Sequence, residues 1–391
     1  MSTHSTAHNA PVVLDGPSAL AFYRDRCHTI NHLDETPQVS VTHPVVIDEK
    51  HWLTDEDVAA SLAETSIFGR CPAIAQEFEE DVNGLPLLNR SRMAGFADCS
   101  ANSRDIKRIP YDLLGIRPPS RTSPLFVLVG NASSRHRVKH VNVRCCSKNP
   151  PSGSLWHIGH RVYVPTPEFS FLLLASHLSL VELVMVGMEL CGAYRLVGAN
   201  TPSLLHSTLT LYNQEPFTTP DRLRAFIDRA KGFPGALLAQ RACGLIAPAS
   251  ASPMETAVYL LLCLPRNLGG YAIPRPVLNA RRHVTKRAET LTTKHTLVPD
   301  LYWPAVRLDV EYDSEEFHSD SARLELGLRR TLALRAMHVE VISLTKEVVY
   351  DNVAFDTTAR MVAKRLGKRL RPQSETLRET RRALRDTVLR T

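Results

Sequence analysis

Residues 298–320 read "VPDLYWPAVRLDVEYDSEEFHSD", and this stretch decides the fold of the C-terminal part of the chain. Successive side chains on a strand point to opposite faces. From Val306 to Asp313 the even positions, Val306, Leu308, Val310 and Tyr312, are apolar or amphipathic. The odd positions, Arg307, Asp309, Glu311 and Asp313, are all charged. The alternation predicts a strand that presents Glu311 and Asp313 side by side. "DLYWP" predicts a second strand, folded back through a turn at Pro304–Ala305 and bringing Asp300 near Glu311. Trp303 is read as the hairpin's core anchor.

The charged face has two readings. In the first it faces water, as one face of an antiparallel sheet commonly does. In the second it expects a cation. Carboxylates brought together repel one another, and their protonated forms become favoured. A divalent ion removes that penalty. Mg²⁺ takes one or two carboxylates and keeps waters for a phosphate ligand. It can then polarise a phosphodiester and lower the pKa of an attacking water. The neighbours weigh towards the second reading: Glu255 in the first turn of a helix, Pro299–Asp300 at the head of the hairpin, and His318 and Asp320 directly after it.

Working outward, "SASPMETAVYLLLCLP" predicts a helix capped by Ser252 with Pro253 at its first position, ended by Gly269–Gly270. After the hairpin, "SARLELGLRRTLALRAM" predicts a helix with Leu324, Leu328, Leu332 and Ala336 on one face, and "HVEVISLT" a strand. Helix, strand, hairpin, helix and strand over residues 251–356 describe an α/β unit. Residues 105–250 read as a mixed α/β module. Its strands are "LFVLV", "VKHVNVR" and "HRVYV", its apolar helices follow Pro167, and a further helix starts at Thr219–Pro220. Residues 1–50 show little periodicity and are expected as a partly disordered lead-in. Residues 51–104 are expected as a short helical region capped at Thr54.

The 391 residues carry a net charge of +7. Residues 359–391 hold 11 Lys and Arg against 3 Asp and Glu, so the remainder of the chain is close to neutral and the basic character belongs to a helical tail, 357–391. Two readings stand for it. One is a phosphate-contacting arm using Lys364, Arg365, Lys368 and Arg369. The other is a solvated helix whose Glu and Arg side chains pair at helical spacing. No run approaches the ~18 apolar residues that span a bilayer, so no membrane partner is expected. The eight cysteines form no C-x-x-C. That argues for a reducing cytoplasm and against a disulfide framework or a cysteine-based zinc site. No phosphate-cradling glycine loop and no G-x-S-x-G elbow is present.

With these residues in hand, the segment from Ser252 to about Asp351 resembles the PD-(D/E)XK nuclease superfamily, in the branch similar to very-short-patch-repair endonucleases. The resemblance rests on the order and spacing of "SPMET", "PDLYWP", "LDVEYD", "FHSDSAR" and "VEVISLT". It implies a restriction-endonuclease-like mixed sheet flanked by helices and a DNA endonuclease using Mg²⁺ or Mn²⁺. It implies metal ligation by Asp300 and Glu311, support from Glu255, Asp313 and His318, and phosphate contact by Arg323 in a D-x-x-R helix start at Asp320. One residue departs: Asp313 stands where the superfamily has its lysine. Either His318 substitutes for that lysine, or the site binds metal and DNA without cutting. The order of elements from about Ile106 to Ile246 resembles DNA-binding regulators of the type IV abortive-infection antitoxin group. The alternative to an endonuclease is therefore a catalytically inactive regulator of antitoxin type.

Overall fold

A computed structural model describes residues 10–33, 99, 101–197, 205, 207, 209–313, 321–372 and 374–389, with the backbone alone for 26–33 and 321–324. The helix expected at Thr54, His318 and Asp320 lie outside the described residues, as does the Arg323 side chain.

The described structure is mixed α/β, with two mixed sheets. β1 (Val12–Leu14) leads into α1 (Gly16–Leu33), and two short helices follow, α2 (Ser103–Lys107) and α3 (Tyr111–Leu114). Then come β2 (Leu125–Val129), β3 (Val141–Cys145), β4 (Leu155–His157) and β5 (Val162–Pro165). These strands form a sheet ordered β3–β2–β1–β5–β4. β1 runs antiparallel to β2 and parallel to β5. The lead-in thus supplies the central strand, which its sequence did not predict. Val13 packs into one core and Val12 and Leu14 into another, on opposite faces. A three-residue strand buried on both faces offers no alternation to read, because the pattern needs about four to eight residues.

The apolar middle folds as α4 (Pro167–Leu174) and α5 (Leu180–Leu190). Ser179 and Glu182 close a capping box at the start of α5: Glu182 N–H donates to Ser179 Oγ at 3.4 Å, and Ser179 N–H to Glu182 Oε2 at 2.8 Å. A hairpin of β6 (Tyr194–Val197) and β7 (Leu209–Tyr212) precedes α6 (Pro220–Arg229), α7 (Ala236–Cys243) and α8 (Pro253–Cys263). Ser252 Oγ caps α8 as expected, accepting from Glu255 N–H at 3.0 Å.

Beyond α8 lie β8 (Val277–Leu278), β9 (Arg282–His283), β10 (Thr296–Leu297), β11 (Leu301–Trp303) and β12 (Leu308–Asp313). α9 (Ser321–Ala336), β13 (Glu340–Thr345), α10 (Lys346–Tyr350), α11 (Asn352–Arg365) and α12 (Glu375–Val388) complete the described chain. The second sheet is ordered β13–β12–β11–β8. β11 runs antiparallel to both β8 and β12, and β13 lies parallel to β12. β12 begins at Leu308 rather than Val306, because Pro304–Val306 form a tight helical turn closed by Arg307 at φ 51°.

Leu301, Trp303, Leu308 and Val310 pack with α5, α8 and α11 in one core that runs through residue 250 without a break. One expected face differs. Leu328 and Leu332 of α9 are 60% and 49% exposed, whereas Ala333, Leu334 and Met337 are buried. The C-terminal helices are helical as read, and α12 docks on the core through Leu384 and Val388. Among the described residues no helix is long and apolar enough to cross a membrane.

Candidate active site

The antiparallel register pairs Leu301 with Val310 and Tyr302 with Asp309. Asp300 therefore falls opposite Glu311, on the sheet face that also carries Tyr302 and Asp309. That face is not solvated. Asp309 is 0% and Glu311 3% exposed, and the Asp300 side chain is 18% exposed. Asp313, at the end of β12, is exposed. Helix α9 supplies the cover. Ala333, Leu334 and Met337 pack with Tyr302 and Val339 in a small separate core.

One helical turn before that stripe, α9 inserts Arg330. Its Nη1 donates to Glu311 Oε2 at 2.5 Å and its Nη2 to the Val298 carbonyl at 2.5 Å. Nη2 also stands 3.6 Å from Asp300 Oδ1. The other Asp300 oxygen, Oδ2, accepts from Tyr312 N–H at 3.1 Å. Glu255 enters from the start of α8. Its Oε2 accepts from Ala251 N–H at 2.9 Å and from Asn279 Nδ2 at 2.6 Å. Asn279 N–H in turn donates to the Asp300 carbonyl at 2.9 Å. Asn279, held at φ 49°, so ties the helix start to the hairpin.

Not every buried oxygen is satisfied. Among the described residues, both Asp309 carboxyl oxygens and Glu311 Oε1 lack a hydrogen-bond partner. Burial pushes the Asp300 carboxyl well above its ordinary range, and the charges of Glu255 and Glu311 add to the push; Arg330 and the Tyr312 N–H oppose it. Burial likewise raises Asp309, reinforced by Glu311 beside it. Burial raises Glu255 against the hydrogen bonds from Ala251, Asn279 and Ser252. Burial works to lower the Arg330 pKa, but Glu311 and Asp300 outweigh it and hold the guanidinium charged. Glu255, Asp300, Asp309, Glu311 and Asp313 thus face one arginine. The negative excess is met by protons or by a second cation.

A family-model scan, a search of curated proteins and a search of solved structures each give no match to this chain.

A Mg²⁺ ion is the cation the sequence implies. Asp300 and Glu311 reach one common cationic partner, and unpartnered carboxyl oxygens adjoin it. Among the described residues no group of three or more His, Cys, Asp or Glu side chains is arranged to hold a metal. Mg²⁺ needs only one or two carboxylates, so the pair fits it, in competition with Arg330.

The structure thus brings together Asp300, Glu311 and Glu255, with Asp313 at the open end. His318 and Arg323 are not placed relative to them. Lys364, Lys368 and Arg369 are exposed on and after α11, and Arg365 pairs with Glu340 at 2.5 Å. Sequence reasoning missed Arg330, Asn279 and the burial of Asp309. A signal for Arg330 was present: positions 330, 333, 334 and 337 make one helical stripe, so an arginine at its head faces inward.

Proposed function

We propose that this chain is a cytoplasmic DNA endonuclease that hydrolyses phosphodiester bonds with Mg²⁺ or Mn²⁺ held by Asp300 and Glu311. The carrying observation is their convergence on one cation, Arg330, beside buried carboxyl oxygens that find no donor among the described residues. The run α8, β8, hairpin, α9, β13 supports the reading, since the resemblance to PD-(D/E)XK nucleases, and the restriction-endonuclease-like arrangement it implies, rest on that order. When bound, the ion polarises the phosphodiester and activates water.

The chain's own groups do the rest. Asn279 holds Glu255 and the Asp300 backbone in fixed relation. Burial raises the Glu255 carboxyl, which stands beside the site accepting from Ala251 N–H and Asn279 Nδ2. Asp313, exposed at the end of β12, is a supporting group, and the resemblance gives His318 the same part. With Asp300 and Glu311 holding a cation, Arg330 would be free to offer its guanidinium fork to a phosphate.

Plasmid nicking tests this. Cutting requires Mg²⁺ or Mn²⁺ and falls in Asp300→Asn by at least about 100-fold, because loss of an outer-shell partner alone costs about 10–100-fold. Equal cutting by both proteins, or none by either, overturns the catalytic reading.

A second reading is a non-cutting DNA-binding regulator of antitoxin type. It is favoured by Arg330 standing between Asp300 and Glu311 and by Asp313 in the place of a lysine. It predicts salt-sensitive DNA binding that survives Asp300→Asn with no nicking at any metal concentration.

A further inference from the structure

Between Asp112 and Glu168 the sequence contains no Asp or Glu, while eight Lys and Arg and four His fall in it. The fold gathers part of that charge at one place. Among the described residues, β3 is one of the two edge strands of the first sheet. Beside it lies a cleft of about 840 Å³ lined by Arg135, His136, Arg137, Asn142, Arg144 and His177.

One carboxylate lines the cleft, Asp15, and it is already engaged. Its side chain is 1% exposed. Asp15 accepts from Gly16 N–H at 2.6 Å, at the start of α1, and from Arg144 Nε at 2.8 Å. His177 Nε2 stands 3.5 Å away. Arg144 is thereby already committed to an ion pair. Arg135, Arg137 and the adjoining Lys139 are exposed, and no carboxylate among the described residues pairs with them.

The segment that carries them is fixed at both ends. Asn131 Oδ1 accepts from Ser134 N–H at 2.8 Å. The His140 carbonyl accepts from Leu125 N–H at 2.9 Å, with His140 itself held at φ 61°. A non-glycine residue in the left-handed region stores strain that the surroundings must hold in place. The cationic loop is thus presented from two anchors.

Charged residues on an edge strand also discourage edge-to-edge pairing. That role needs only scattered charge on the strand. It does not account for guanidinium groups gathered on the preceding loop around a cleft, with the acids removed from the whole segment. Like charges so placed repel, and a partner that supplies anions at several points relieves them. Guanidinium forks match phosphate oxygens in two-point contacts. No large exposed apolar side chain lies in residues 131–148, so a lipid surface finds no apolar anchor here.

We infer that the β3 edge and its 135–139 loop form a binding surface for the phosphate backbone of duplex DNA. The inference shares its partner with the proposed function but is independent of the chemistry at Asp300.

The test is anisotropy of a labelled DNA duplex with the full-length chain in EDTA over a salt series, so that cleavage plays no part. Each phosphate contact contributes about −0.9 to the slope of log K against log salt. The triple variant Arg135→Ala/Arg137→Ala/Lys139→Ala is expected to flatten the slope by about 2–3 and to weaken low-salt binding at least tenfold. Circular dichroism confirms its fold. A comparison variant, Lys364→Ala/Lys368→Ala/Arg369→Ala, is expected to change the slope less. Three outcomes overturn the inference: an unchanged slope in the loop variant, no duplex binding by the wild type at low salt, or tighter wild-type binding to polyglutamate or phosphatidylserine vesicles than to duplex.

Discussion

Arg330 Nη1 lies 2.5 Å from Glu311 Oε2 while Nη2 of the same guanidinium lies 3.6 Å from Asp300 Oδ1. Two carboxylates on neighbouring strands are therefore read out by one cation delivered from a helix. This relationship sets both the stability of the hairpin and the competition that any metal ion meets there.

Arg330→Met tests the stabilising half. The variant keeps the side-chain volume and removes the charge, leaving Asp300, Asp309 and Glu311 without a cationic partner. Breaking a buried pair costs about 3–5 kcal/mol. Arg330 is 31% exposed, so the lower end, about 3 kcal/mol, is expected from urea unfolding at pH 7. A change below about 0.5 kcal/mol, the range of neutral surface substitutions, would show that protons already neutralise the cluster.

Asp309→Asn tests the unpartnered carboxyl. The amide is nearly isosteric and can donate to Glu311 Oε1, which lacks a donor. The variant is expected to gain about 1 kcal/mol at pH 7. The pH dependence has a definite sign. Asp309 and Asp300 are raised in the folded state, so the folded protein binds more protons than the unfolded one above the ordinary carboxylate range. Their stabilising contribution is complete below the unfolded pKa and is lost as pH rises through the folded values. Thermal melts from pH 4 to 8 should show wild-type stability falling on the alkaline side, and a smaller fall in Asp309→Asn. Parallel curves for the two proteins would contradict this.

Gly269→Ala tests the docking of the tail. Gly269 sits at φ +93°, and an added Cβ would come 2.6 Å from the Thr380 carbonyl oxygen. Left-handed backbone alone costs a non-glycine residue roughly 1–2 kcal/mol, and the clash adds to it. A loss of about 2 kcal/mol in urea unfolding is expected; a wild-type midpoint would mean that α12 is not held as described. The same packing makes truncation a poor probe of the basic tail. Phe355, Val362 and Ala363 are core residues, so substitutions at exposed Lys364, Lys368 and Arg369 are the informative ones.

Much of the site was legible because strands and caps are local. The alternation Leu308, Val310, Tyr312 against Asp309, Glu311, Asp313 gave the faces of β12, and Ser252 with Pro253 gave the start of α8. Other features depend on what covers them. The acidic face of β12 reads the same whether water or a helix lies over it, so the burial of Asp309 was not readable. The face of α9 was misjudged because leucines at four-residue spacing suggest a core stripe, yet the partner surface selects Ala333, Leu334 and Met337. β1 was hidden because "VVL" acquires its place only from β2 and β5 on either side. Arg330 followed the error on α9: with the wrong face inward, it reads as a solvated arginine beside Arg329.

The most direct measurement is Mn²⁺ titration of the full-length chain followed by electron paramagnetic resonance, in the wild type and in Asp300→Asn/Glu311→Gln. One bound Mn²⁺ is expected in the wild type, lost in the double variant, with tighter binding in folded Arg330→Met. No binding by the wild type, or equal binding by wild type and double variant, would contradict it.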